Sequence, residues 1–435
     1  MFQLPSFNFF SGSSRSSSDD TRSINIPSVK IHDIETSPVK ETRTLKHLLR
    51  ANHVNHSVIY HDLEFHNHMP HILGSAYLYG ADPDHLNTIY DKESKELEPW
   101  KDSPGEISKH DWRDYLGERR YQRAYVDFFE DELVQYGYDW KKLAEDYLFS
   151  GKDPLINNVI SGLGHPVIHL GYAYELSNRT IAMEAMTLAA CFHDPSMAKY
   201  LSDPSYTRPA EHPTSSITEI LSRVFKDKTL DGLFPAKGAD NIAPLLREHE
   251  HKILEYWNSW KITDPTAQFE ESQRVAVLML VGTHKPGAEI YDFFLVHLLT
   301  SSHAVRILLP LIPTKFHVSL VRQWWLFTLL VYIAQLRPPI QEDTITDFDP
   351  KDKDWKWIQK EAISSKWSID AHYVKALRAM QSASETWSDS SSWYLRAAVR
   401  FASEFNNWGG FGPLTQEDLN FTAKYRKWTG VNSDE

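Results

Sequence analysis

Cysteine is nearly absent: Cys191 is the only one in 435 residues, which excludes a disulfide framework and any thiolate-based zinc or iron-sulfur centre. A bound metal would have to sit on histidine and carboxylate-type ligands, and the composition fits a reducing compartment, so a cytoplasmic location is expected. Basic residues are in deficit, with 46 Lys and Arg against 58 Asp and Glu and a net charge of -12, so no nucleic-acid partner is expected. The opening MFQLPSFNFFSGSSRSSSDD lacks the charged start, sustained apolar core and small-residue cleavage site of a secretory signal. Residues 1–25 therefore read as a flexible Ser-rich tail and 26–435 as a single domain. Long apolar runs are missing too. The longest, WWLFTLLVYIAQL at 324–336, falls short of the roughly 20 residues a bilayer requires, so it reads as a core helix rather than a membrane span. No GxGxxG joins a strand to a helix and no GxxxxGK[ST] occurs, leaving flavin, nicotinamide and nucleotide folds without a fingerprint.

What is present is helical spacing. With 41% hydrophobic residues the chain can build a substantial core. Segments near 119–137, 178–192, 241–260, 289–309, 316–336 and 370–382 place apolar residues at i, i+3 and i+4, and Pro, Asp and Gly clusters such as GADPDHLN and HDPSM punctuate them. Alternating strand patterns are scarce. The expected fold class is all-α, one large helical domain with a metal site between helices.

Histidine is the conspicuous residue in that core. FHNHMPHILGSAYLYGA at 65–81 and GLGHPVIHLGYAYEL at 162–176 each carry a His, a Pro suited to a first helical turn, and a second His leading into small and aromatic residues. At about 100° per residue, His165 and His169 lie roughly 40° apart on one helix face and His68 and His71 roughly 60° apart. Either pair can offer a metal two imidazoles. In YDFFLVHLLTSSHAVRILLP at 291–310, His297 is flanked by hydrocarbon and needs a partner, while His303 points about 120° away. In SIDAHYVKALRAM at 368–380, His372 flanks the apolar stripe and Lys375 lies further off it, so periodicity reads Lys375 as solvated. A hydrogen-bonded core role stays open for each histidine taken singly. His110, His212, His249 and His251 read as loop or surface residues.

The phrases FHNHMPHILGSAYLYGA, GLGHPVIHLGYAYE, FFLVHLLTSSHAVRILLP and HYVKALRA, in this order, resemble the questin oxidase-like proteins of fungal secondary metabolism. The resemblance implies an oxygenase that opens the central ring of an anthraquinone-type aromatic polyketide. Two chemistries go with it. One is a non-haem iron(II) dioxygenase cleaving a carbon-carbon bond, with iron held by four histidines and a lysine carbamate made with carbon dioxide. The other is an NADPH-dependent Baeyer-Villiger-type monooxygenase, and NADPH is also a candidate reductant of the substrate. Carried onto this chain, the first assigns ligands among His68, His71, His165, His169 and His297, with Lys375 as the carbamate. A small aromatic substrate and O2 are the implied partners, and Tyr77, Tyr79, Tyr172, Tyr174, Trp324 and Trp325 are candidates for aromatic walls. Two readings from other classes remain: an HD-type metal-dependent phosphohydrolase built on His193 and Asp194, and a helical ligand carrier whose histidines satisfy one another.

Overall fold

The computed structural model describes residues 22–288 and 290–412. Among these residues the fold is all-α, as expected, and strands are confined to two short pairings. Ile59–Tyr60 pairs antiparallel with Phe65–His66, and Ile290–Asp292 pairs parallel with Asn407–Gly409. Residues 22–25, assigned to the tail by composition, are tied to the fold: Ile24 is 3% exposed and its N–H donates to His317 Nδ1 at 3.1 Å. Residues 1–21 and 413–435 lie outside the described residues.

Helices form close to where periodicity places them, with differences at the ends. The segment 241–260 is two helices, Ile242–Arg247 and Glu250–Ser259, because the N–H groups of Glu248 and His249 both donate to the Pro244 carbonyl and end the first. The segment 289–309 begins as the strand Ile290–Asp292, and the helix Phe293–Leu308 starts only where the Asp292 carboxylate accepts the N–H groups of Phe294 and Leu295. Likewise the Asp370 carboxylate accepts from His372 and Tyr373 and opens the helix Ala371–Thr386, four residues longer at its end than its spacing suggests. The apolar run at 324–336 lies mostly in the helix His317–Ala334, of which only Ser319 and Arg322 are not buried. Length and composition alone would let this helix cross a membrane, but 89% of its apolar window is buried inside the fold. Each fully buried Leu or Phe there contributes about 1.5–3 kcal/mol.

Four helices carry the candidate residues: Met69–Leu78, His165–Glu175, Phe293–Leu308 and Ala371–Thr386. Two glycines let three of them approach closely. A Cβ on Gly74 would stand 2.9 Å from Tyr172 Cδ1, and one on Gly171 would stand 3.1 Å from Ala304 Cβ and 3.2 Å from its Cα. The entry to His165–Glu175 is a left-handed run, Gly162, Leu163 and Gly164 at φ 60°, 53° and 76°. Gly162 has a second constraint, since a Cβ there would meet the Phe192 ring at 2.7 Å.

Replacing Gly171 by Val inserts branched carbon into the seam against the Ala304 backbone. The expected cost is about 1–3 kcal/mol in urea unfolding. An unchanged unfolding midpoint would show that the two helices are free to separate.

Candidate metal centre

His68 precedes the first turn of Met69–Leu78, His165 and His372 stand in the first turns of their helices, and His297 lies one turn into Phe293–Leu308. Local bonding aims them. Asn67 donates to Asn52 Oδ1 at 2.9 Å and to the Ser57 carbonyl at 3.1 Å, while its own Oδ1 accepts the Met69 N–H, fixing the backbone on either side of His68. His165 Nδ1 donates to the Gly162 carbonyl at 2.8 Å, and His297 Nδ1 donates to the Phe293 carbonyl at 2.7 Å. Each ring is left with Nε2 as its free nitrogen.

One potential ligand atom from each of His68, His165, His297 and His372 falls in a group whose members all lie within 4.8 Å of one another. His68 Nε2 and His165 Nε2 are 2.9 Å apart, and the Nε2 atoms of His297 and His372 are buried with no hydrogen-bond partner. A first-row divalent ion with bonds of about 2.1 Å holds its ligand atoms roughly 3 Å apart at right angles and roughly 4.2 Å apart across the ion. The His68–His165 separation matches the right-angle spacing, and the 4.8 Å bound on the whole group is about half an ångström wider than the spacing across an ion. Burial holds all four well below the ordinary imidazole range, and neighbouring titratable groups add to it; His297 falls to about 3. They are therefore neutral, the form that offers a lone pair. His66 stacks on His165 at 3.6 Å with the rings 4° from parallel.

Lys375 follows His372 by three residues on the same helix face and is 2% exposed, so the solvated side chain its periodicity suggests is not what forms. The reason is that Ala371–Thr386 is covered on more than one side: every residue from Ala371 to Met380 is buried. Burial pulls the Lys375 amine down to about 7 against the opposing charge of Asp370. A substantial neutral fraction at pH 7 makes the nitrogen nucleophilic. Its Nζ lies 3.4 Å from His71 Nδ1.

Of the residues singled out by sequence, His68, His165 and His297 fall in the group. His71 and His169 stand beside it, joined to each other through Nε2 and Nδ1 at 2.7 Å. His372 completes the four, and its signal was the i,i+3 spacing to Lys375. His303 is buried and, with Lys375 and Tyr172, borders a void of about 10 Å³, the room of a single water. His193 and Asp194 are outside the group, and the Asp194 carboxylate caps the helix Pro195–Ser202. His110, His212 and His251 are exposed and His249 is half-buried.

Among the proposed aromatic walls, Tyr172 stacks against His71 at 5.1 Å, whereas Trp324 donates to the Leu298 carbonyl as a core residue. Phe293, which drew no notice in the sequence, touches both His372 and His297, with centroids at 4.6 and 4.9 Å. A cleft of about 390 Å³ is bordered by His32, Tyr79, Glu175, Arg306 and Arg378. Arg378 donates to both Glu175 carboxylate oxygens at 2.6 Å and lies over the Tyr172 ring, so this cleft and the void beside Lys375 share the Tyr172–Arg378 contact as a wall.

A second titratable file starts at His169. Its Nε2 stands 4.0 Å from Glu184 Oε2, Glu184 Oε1 accepts from His53 Nδ1 at 2.9 Å, and His53 Nε2 donates to Glu130 Oε1 at 2.9 Å. Burial lowers His53, but its bonds to the two carboxylates outweigh burial and raise it to about 9.

The profile of the family described as questin oxidase-like matches residues 65–380. The chain is 28% identical over 359 residues, 76% of its length and 70% of the relative's, to "Oxidoreductase AflY" of Aspergillus parasiticus. It is 24% identical to "Baeyer-Villiger oxidase AgnL3" of Paecilomyces divaricatus, covering 77% of each chain. With "Questin oxidase" of Aspergillus fumigatus it shares 23% identity over 80% of this chain and 82% of that one.

Neutral burial of these imidazoles has a pH signature. The unfolded chain takes up their protons below about pH 6.5 while the folded chain, with His169 and His297 lowered to about 3, does not. The contribution of these lowered histidines to stability without metal should thus be complete above about 6.5 and fall as pH drops toward 3, by about 1.4 kcal/mol per neutral histidine at one unit below 6.5. Denaturant unfolding in chelator at pH 7.5 and 5.5 checks this. Equal stability at both would mean that the histidines are charged in the fold.

Proposed function

The chain belongs to the questin oxidase-like family and is an oxidoreductase, and on that footing we propose that it is a non-haem iron(II) dioxygenase that opens the ring of an anthraquinone-type aromatic polyketide. One observation carries the choice of metal chemistry: four neutral imidazoles, three buried and that of His68 half-buried, converge beside a buried lysine. His68, His165, His297 and His372 would hold iron(II), which when bound would supply the redox chemistry for O2 and an electron-rich aromatic ring. Imidazole suits iron, and an anionic oxygen ligand balances its charge.

Lys375 is the source of that oxygen ligand. Its neutral amine adds carbon dioxide, forming the N–C bond of a carbamate and releasing one proton. Neither His71 nor His169 is required as a ligand; they stand behind the lysine and hold the surrounding polar atoms. The hydrocarbon around His297 and the ring of Phe293 keep water from the centre, and the cleft beyond Tyr172 and Arg378 is the place for a flat phenolic substrate, whose oxygens Arg306 and Arg378 can meet as donors.

The Baeyer-Villiger reading keeps its standing because "Baeyer-Villiger oxidase AgnL3" is among the relatives. Labelled dioxygen separates the two. Incubation of the iron-loaded protein and a reduced anthraquinone under 18O2 should place two labelled atoms in the ring-opened product without NADPH turnover. One labelled atom with stoichiometric NADPH consumption would replace the proposal by the monooxygenase.

Metal retention is the companion test. His297→Ala and His372→Ala should each lower iron from near one per chain to a small fraction while the far-ultraviolet helical signal is kept. Lys375→Ala and Lys375→Arg should both lose iron and turnover, since guanidinium stays charged and forms no carbamate. Full iron and turnover in both lysine variants would remove the carbamate.

A further inference from the structure

The four imidazoles are already neutral, so the proton that has to reach water is the one that carboxylation of Lys375 releases beside the centre. One file of titratable side chains leads from beside it in near-contact steps to an exposed group. It runs from Lys375 Nζ to His71 at 3.4 Å, from His71 to His169 at 2.7 Å, across 4.0 Å to Glu184, and then to His53 and Glu130 at 2.9 Å each. The side chains of His169, Glu184 and His53 are 0%, 2% and 8% exposed, while that of Glu130 is 48% exposed.

We propose that Glu184, His53 and Glu130 form a proton relay connecting the His169–His71 pair to solvent. The one break in the file supports the assignment. His169 Nε2 and Glu184 Oε2 are both buried with no hydrogen-bond partner, and they face each other. An approach of about 1 Å closes a hydrogen bond between them. His53 has a carboxylate on each ring nitrogen, so a proton released from Nε2 to Glu130 is followed by redistribution to a form whose Nδ1 accepts one from Glu184, without rotation of the ring. Glu184 lies on Arg179–Cys191, whose residues from Ile181 to Cys191 are otherwise apolar or small apart from Thr187, and His53 and Glu130 come from two other helices, Lys40–Asn55 and Gln122–Gln135.

The inference rests on the proposed iron chemistry for its use, and its test does not. In chelator-treated, 15N-histidine-labelled protein, the exchange of the His71 and His169 ring N–H protons with water is measured by NMR for the unaltered chain and for Glu184→Gln, His53→Gln and Glu130→Gln. The relay predicts exchange slowed about tenfold in each variant, with protection of the backbone amides in His165–Glu175 unchanged. Glu130 is half in solvent, so its variant reads the path even if a core variant fails to fold. In His53→Ala, added imidazole should restore fast exchange in proportion to its concentration. Ring exchange that matches the unaltered chain in Glu130→Gln and in either core variant that folds would overturn the relay, whatever the turnover. Slowed exchange in a protein with no iron-dependent activity would keep the relay and remove the dioxygenase.

Discussion

A nitrogen lone pair in a dry core has to be given a partner, and most of this structure follows from that constraint. An unpaired buried polar atom costs on the order of 1–3 kcal/mol. His297 Nε2 and His372 Nε2 are both left so, at the centre of a group of four imidazoles, while the opposite nitrogens of His165 and His297 are spent on backbone carbonyls. One cation satisfies these two Nε2 atoms together with the facing nitrogens of His68 and His165. Burial supplies the matching charge state, because the desolvation that keeps these rings neutral is also what leaves their lone pairs available. The same burial lowers Lys375 to about 7 and gives it a substantial neutral fraction, so metal ligation and lysine carboxylation draw on one physical cause.

Packing brings the ligands to that point. Gly74 and Gly171 remove the side chains that would hold three helices apart, and the Asp292 and Asp370 caps set where two helices begin and hence the direction in which His297 and His372 face. The left-handed run at Gly162–Gly164 does the same for His165 and provides the carbonyl that orients its ring. These positions touch no substrate, yet the centre depends on them as much as on its histidines.

Helix content and two of the histidine segments were legible in the sequence, because 3.6-residue spacing and a Pro in the first turn are local signals. His68, His165 and His297 stood out as imidazoles set in small or apolar runs. His372 and Lys375 were harder to read. Their helix is covered on more than one side, so its polar positions look solvated when spacing is judged against one apolar stripe, and the resemblance to relatives pointed to Lys375 where periodicity did not. Glu184, His53 and Glu130 carry no local signature at all, since their relation exists only through three helices that meet in space. The strand Ile290–Asp292 escaped notice for the same reason: its partner, Asn407–Gly409, is remote in sequence.

The most direct test of the account is the position of the metal. Crystals of the anaerobically purified protein, measured on both sides of the iron absorption edge, should give one anomalous peak about 2.1 Å from a nitrogen of each of His68, His165, His297 and His372, with density extending from Lys375 Nζ toward it. A peak at another group of residues, or a fully ordered four-histidine centre with no iron after reconstitution, would contradict it.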